Sequence, residues 1–141
     1  MTDARLLADD ARRLLEELDR DVPGAAQSSG ECRPALDIVE TTDATEVVVD
    51  LPGLAPASLR VAIRRDTVLV VGAKLPPAST GDARFHLAER SYGRFARAVR
   101  VAGAFDASRA KAILEAGILR IVLPRIEDRR GRLIRIDVET A

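Results

Sequence analysis

Between Pro34 and Pro124 the apolar residues of this chain recur at every second position. A period of two is a strand's period, so the main body of the chain has to be built from β-sheet. Val47, Val49 and Leu51 alternate with Val48 and Asp50, and Leu59, Val61 and Ile63 alternate with Arg60, Ala62 and Arg64. Phe95, Val99 and Val101 share a face, Ala112 and Leu114 precede Gly117, and Ile118 to Leu123 closes at Pro124. Thr67 to Ala73 is a continuous run without polar alternation, which predicts a strand covered on both faces. Breakers at Leu51-Pro52-Gly53, Arg65-Asp66, Leu75-Pro76-Pro77, Ala102-Gly103 and Ala116-Gly117 cut the pattern into seven or more short strands. Strands of that number and spacing predict an all-β, immunoglobulin-like β-sandwich.

Ahead of the sandwich the period changes. Leu7, Ala11, Leu14, Leu15 and Leu18 recur at spacings of three and four, Leu6 widens the stripe, and acidic and basic residues fill the other face. This predicts an amphipathic helix over residues 3–22, capped by Thr2 or Asp3 and ended by Pro23-Gly24. Ala25 to Gly30 reads as a small-residue linker. One apolar stripe on a lone helix has to be buried against the sandwich, a sister subunit or a foreign chain.

Composition narrows the function. The 22 basic residues are matched by 22 acidic ones, which removes the electrostatic footprint of a nucleic-acid binder. The cluster Arg129, Arg130 and Arg132 sits beside Glu127 and Asp128 and reads as a solvated turn. No apolar run reaches the ~20 residues of a membrane span, and the acidic N-terminus does not resemble a signal peptide. The one cysteine, Cys32, fits a reducing, cytoplasmic setting and reads as an incidental thiol. No Gly-rich phosphate loop, G-x-G-x-x-G or G-x-S-x-G is present. With a single His, His86, a zinc set cannot be assembled within the chain, so His86 reads as a structural or interface residue. The expectation is a binding protein without cofactor, metal or catalytic residues.

Three features break the pattern. The stretch 75–93 is long for a connection in a compact sandwich, and Arg84 to Leu87 has the make-up of one extra short strand. Arg97 has the parity of Phe95 and Val99, and a charge on an apolar face needs a partner. After a charged stretch the tail turns apolar again, at Ile134, Ile136 and Val138.

The run Pro34 to Glu40 (PALDIVE), Val47 to Asp50 and Leu51-Pro52-Gly53-Leu54 resemble the start of an α-crystallin domain. Glu89 to Arg97 (ERSYGRFAR) resembles that family's segment before and within its seventh strand. Ala112 to Leu119 (AILEAGIL), followed by Ile121, Leu123 and Pro124, resembles its A-x-x-x-n-G-v-L signature. Ile134-Arg135-Ile136 resembles the I-x-I motif of small heat-shock proteins, although Ile136 and Val138 offer a second register. One departure stands out: Ala116 occupies the signature's Asn position, so the turn is expected to lean on Gly117 alone.

The resemblance implies an ATP-independent holdase chaperone that binds partly unfolded proteins and assembles through a homodimer into oligomers. A fixed-partner, co-chaperone-like sandwich module is the alternative reading. The implied layout is a helical arm and linker at 1–33, an α-crystallin domain at 34–124 and a C-terminal extension at 125–141. In relatives the loop strand is exchanged with a partner, which would place Arg84, Phe85, His86, Glu89 and Arg97 at the dimer interface, with Arg97 near a carboxylate such as Glu89. Ile134 and Ile136 would dock in a neighbour's groove formed here by Val61, Ile63, Ala112 and Leu114. Leu6, Leu7, Leu14, Leu15 and Leu18 are the candidate client-binding stripe, with helix packing inside the oligomer as the competing role. Neither a nucleic acid nor a membrane partner is expected.

Overall fold

The computed structural model describes residues 3–25, 32–77, 81–126 and 135–140. Among these residues the chain forms one α-helix, α1 (Asp3–Asp21), two single-turn 3-10 helices (Pro56–Ser58 and Ala107–Arg109) and seven strands. The strands are β1 (Leu36–Glu40), β2 (Ala44–Asp50), β3 (Leu59–Arg64), β4 (Thr67–Lys74), β5 (Gly93–Arg100), β6 (Lys111–Glu115) and β7 (Ile118–Pro124). They make two antiparallel sheets, one ordered β1-β2-β7-β6 and the other β3-β4-β5.

The alternation seen in the sequence sets the register. Val47 lies opposite Ile121 and Val49 opposite Leu119, and all four side chains point inward and are buried. From the other sheet Leu59, Val68, Val70 and Phe95 meet them in a single core. Each buried aliphatic or aromatic side chain of this kind contributes about 1.5–3 kcal/mol.

β4 is the middle strand of its sheet and has no solvent-facing side. Val68 and Val70 face the core, while Leu69, Val71 and Ala73 face α1 and form a second cluster with Leu18, Val22 and Ala25. The expected two-sided burial of Thr67 to Ala73 therefore holds, and the helix is what covers the outer side. Of the three openings left by the sequence, the stripe is buried against the chain's own sandwich. Leu18 is wholly inaccessible, and Leu14 and Leu15 are half-buried against the sheet. Ala25, the first residue of the small-residue stretch, is buried in this cluster, and residues 26–30 lie outside the described residues.

The β6–β7 hairpin corrects a second expectation. Ala116 has φ 51° and Gly117 φ 78°, so both central residues of the two-residue turn lie in the left-handed region. The turn does not lean on Gly117 alone. Hairpin twist demands positive φ at both positions, and the chain imposes it on alanine at a cost of roughly 1–2 kcal/mol. Ala116→Asn should therefore raise the stability of the domain by about 1 kcal/mol, read as a later urea midpoint at unchanged m-value. An unshifted midpoint would show that the strain is already relieved elsewhere.

Candidate functional site

The surfaces that remain open in this chain are strand edges and extended segments. β1 is the edge of the four-stranded sheet, and its residues after Leu36 are exposed. Ile38 and Val39 point to opposite faces, yet 46% and 42% of their surfaces are accessible. An edge strand presents a row of unpaired backbone donors and acceptors, a template for one more strand.

The long loop supplies a segment of matching character. Residues 81–90 are all exposed, and Arg84 to Leu87 carries no strand in the isolated chain. Phe85 and Leu87, two residues apart, are 77% and 75% accessible. Side chains so spaced share one face of an extended segment, which nothing among the described residues covers. Arg84, His86 and Glu89 lie exposed in the same stretch.

Arg97 is half-buried on the inner face of β5, opposite Val70. Within the single chain Arg97 Nη1 donates to the carbonyl of Pro34 at 2.7 Å. This charge-assisted bond ties β5 to the segment that feeds β1, so it joins the two sheets along the side on which β1 lies open. Cys32, read as incidental, packs half-buried against the sandwich core in the same lead-in segment.

Of the expected groove residues, Val61 and Ile63 lie on edge strand β3 and Leu114 on edge strand β6, all partly buried against the same core. Ala112 has the inward parity but is exposed, because β6 is the outermost strand of its sheet. In the tail, Ile136 and Val138 are 85% and 96% accessible; Ile134 and the basic cluster Arg129, Arg130 and Arg132 lie outside the described residues.

The residues that seat the helix were not singled out by the sequence. Asp21 and Glu17 pair with Arg60 on β3 at 3.0 and 3.6 Å, Asp10 pairs with Arg64, and Asp19 meets Arg94 on β5 at 3.0 Å. The arginines flank the apolar strip of β4 on both sides. The hydrogen bond from Arg64 holds the Asp10 carboxyl below its usual range. Arg100 lowers Asp66 at the β3–β4 turn, and the Ser108 hydroxyl lowers Asp106. A carboxylate depressed in the folded state adds stability that is present above its unfolded pKa and is lost as pH falls through the folded one. Stability should thus be level from neutral pH to about 5 and fall below about 4 as these aspartates protonate. The check is the urea midpoint against pH; an Asp10→Asn chain with an equally steep acid limb would remove Asp10 from the account.

Among the described residues no group of three or more His, Cys, Asp or Glu is placed to hold a metal, and no helix is long and apolar enough to cross a membrane.

Comparison with known proteins agrees with the architecture. Residues 37–139 match the family model described as Hsp20/alpha crystallin family. A 21.9 kDa heat shock protein of Oryza sativa subsp. japonica is 32% identical over 92% of this chain and 71% of its own length. An 18 kDa heat shock protein of Streptomyces albus G is 25% identical over 93% of this chain and 92% of its own. Among solved structures, heat shock protein 16.0 from Schizosaccharomyces pombe superposes with a TM-score of 0.66 at 25% identity, covering 76% of this chain and 100% of that one. A small heat-shock protein from Xylella fastidiosa, described as having a distinct high order structure, gives 0.63 at 27% identity over 76% and 98%.

Proposed function

This chain belongs to the Hsp20/alpha crystallin family, and from that footing we propose that it is an ATP-independent holdase chaperone. It binds partly unfolded proteins, keeps them from aggregating and works as a homodimer that assembles further. The observation that carries this reading is the placement of large apolar side chains in solvent on segments without a partner. Phe85 and Leu87 on the loop, and Ile136 and Val138 on the tail, are each at least three-quarters exposed. A monomeric soluble chain seldom leaves such side chains uncovered in sets without a binding role.

In the proposed assembly the loop segment 84–87 of one subunit adds to the open β1 edge of another by strand addition. His86 and Glu89 lie along that contact. Arg97 braces the same side through Pro34. The tail isoleucines dock against Val61, Ile63, Ala112 and Leu114 of a neighbour, two side chains worth at most a few kcal/mol, which suits reversible subunit exchange. Two separate self-adhesive segments favour this over a fixed-partner module. The setting proposed is cytoplasmic, and the role is binding rather than catalysis.

The test is light scattering of a heated model client with the full chain and no nucleotide. Scattering should fall in proportion to added chain and stay the same when ATP is supplied. Unaltered client aggregation at equimolar chain would overturn the holdase reading.

A further inference from the structure

The outer face of the β3-β4-β5 sheet has an apolar floor and a charged rim, and α1 covers it. Its floor is Leu69, Val71 and Ala73 on β4. Its walls are low: the register partners of Leu69 are Ala62 on β3 and Ala98 on β5, and the β5 partner of Val71 is Ala96. Small residues on both sides of a taller central strip leave a shallow bed that admits a helix. The rim is basic, with Arg60 and Arg64 along β3 and Arg94 along β5. The occupant mirrors it, with an apolar stripe of Leu14, Leu15 and Leu18 between Asp10, Glu17 and Asp21 on one side and Asp19 on the other.

The fit is not sealed. An open cleft of about 590 Å³ runs between α1 and β3, reaching Leu7, Asp10, Leu14, Ile63, Arg64 and Leu69. The charge pairs are partly or largely exposed, so each is weak and is screened by salt.

We infer that this face is a gated interaction surface: α1 covers it in the resting chain, and on release of α1 it takes apolar client segments that carry acidic flanks. The inference rests on the holdase reading and adds to it a location, a selectivity and a gate. Selectivity follows from the positive charge of the three arginines, which the carboxylates of α1 meet when it is docked and which favours a replacement that carries carboxylates too. The gate follows from the same pairs, since loss of the acidic partners on α1 weakens its hold, leaving the apolar cluster alone to seat it, while the face stays intact.

The experiment uses the full chain and a variant in which Asp10→Asn, Glu17→Gln, Asp19→Asn and Asp21→Asn are combined. The probe is a fluorescent synthetic peptide with the sequence of residues 3–22. A control peptide carries Asp10→Lys, Glu17→Lys, Asp19→Lys and Asp21→Lys. A cover that leaves the face open in about 10% of molecules or fewer lowers apparent affinity in proportion. The variant should therefore bind the acidic probe about tenfold or more tightly than the wild type does, while the lysine peptide stays weak. Adding Arg60→Gln, Arg64→Gln and Arg94→Gln should abolish the difference between the peptides. Circular dichroism confirms that each chain keeps its sheet.

Equal probe binding by wild type and variant would overturn the gate, and equal binding of the two peptides would overturn the selectivity. A rise in native mass without probe capture would assign the face to a second copy's arm and overturn the client assignment. Probe capture by a chain that fails to suppress client aggregation would sink the holdase reading and leave the surface standing, so the two failures are distinguishable.

Discussion

Gly72→Ala is expected to destabilise the sandwich by about 1–3 kcal/mol, a large fraction of a small domain's stability. Gly72 is the β4 residue flanked by Leu59 on β3 and Phe95 on β5. A methyl group there would lie 2.4 Å from the Phe95 ring and 2.9 Å from a Leu59 methyl, both inside van der Waals contact. Neither neighbour can retreat, because Phe95 and Leu59 are 5% and 8% accessible and belong to the sandwich core. The ring of Phe95 thus fills the space that the missing side chain leaves in the middle of the sheet. Its backbone is not strained, so the requirement for glycine is one of volume. The urea midpoint reads the loss, and the combination with Phe95→Leu supplies the control. A smaller side chain over Gly72 should restore part of the stability lost by Gly72→Ala, giving a favourable coupling in the double-mutant cycle. A Gly72→Ala chain with the wild-type midpoint would refute the packing account.

Phe85→Asp combined with Leu87→Asp should convert the assembled protein to monomer at micromolar concentration. Both side chains are about three-quarters exposed in the single chain, so the substitutions leave its core untouched. In the proposed dimer they are buried against the open side of β1. Two large apolar side chains at about 1.5–3 kcal/mol each amount to roughly 3–6 kcal/mol of association free energy. That corresponds to a dimer dissociation constant raised about 10²- to 10⁴-fold. Light scattering coupled to size exclusion reads the mass, and thermal unfolding of the monomer verifies that it is folded. An unchanged native mass would mean that subunits meet through another surface.

These two positions show what kind of information the sequence carries. The helix, the strands from β2 to β7 and the two-sided burial of β4 follow from periodicity, since burial leaves its period in the residues, whereas β1, exposed after Leu36, carries no such mark. Arg97 was recognisable as anomalous by parity, but its partner was not, because a backbone carbonyl at Pro34 leaves no mark in sequence. The pairs that seat α1 join residues 39 to 75 positions apart, and an arginine on a strand looks the same whether it faces water or an aspartate. Gly72 lay unnoticed inside an apolar run, since its role depends on which side chain stands across the sheet. Ala116 carried a misleading signal: an alanine at a hairpin tip suggests ordinary backbone, yet the twist of β6 and β7 forces it to positive φ. For the candidate site, the apolar residues of the loop and tail were legible, while the openness of β1 emerged only with the order of strands.

The double cover on β4 has a consequence for the protein's own solubility. Thr67 to Ala73 is a seven-residue run with neither a charge nor a proline and with the strand formers Thr67, Val68, Val70 and Val71 among its first five residues, the composition of a segment that stacks into cross-β fibres once exposed. Its native place protects it: neighbours pair both its edges, and α1 lies over the face the core leaves bare. Charged and ring residues close off its ends, with Arg64, Arg65 and Asp66 before it and Lys74, Pro76 and Pro77 after it, the arrangement of gatekeepers. A chain stripped of its first helix keeps those gatekeepers but loses the lid over Leu69 and Val71. The chain thus holds within its own sheet a segment with the make-up of a fibre spine, and α1 is what covers its one face outside the core.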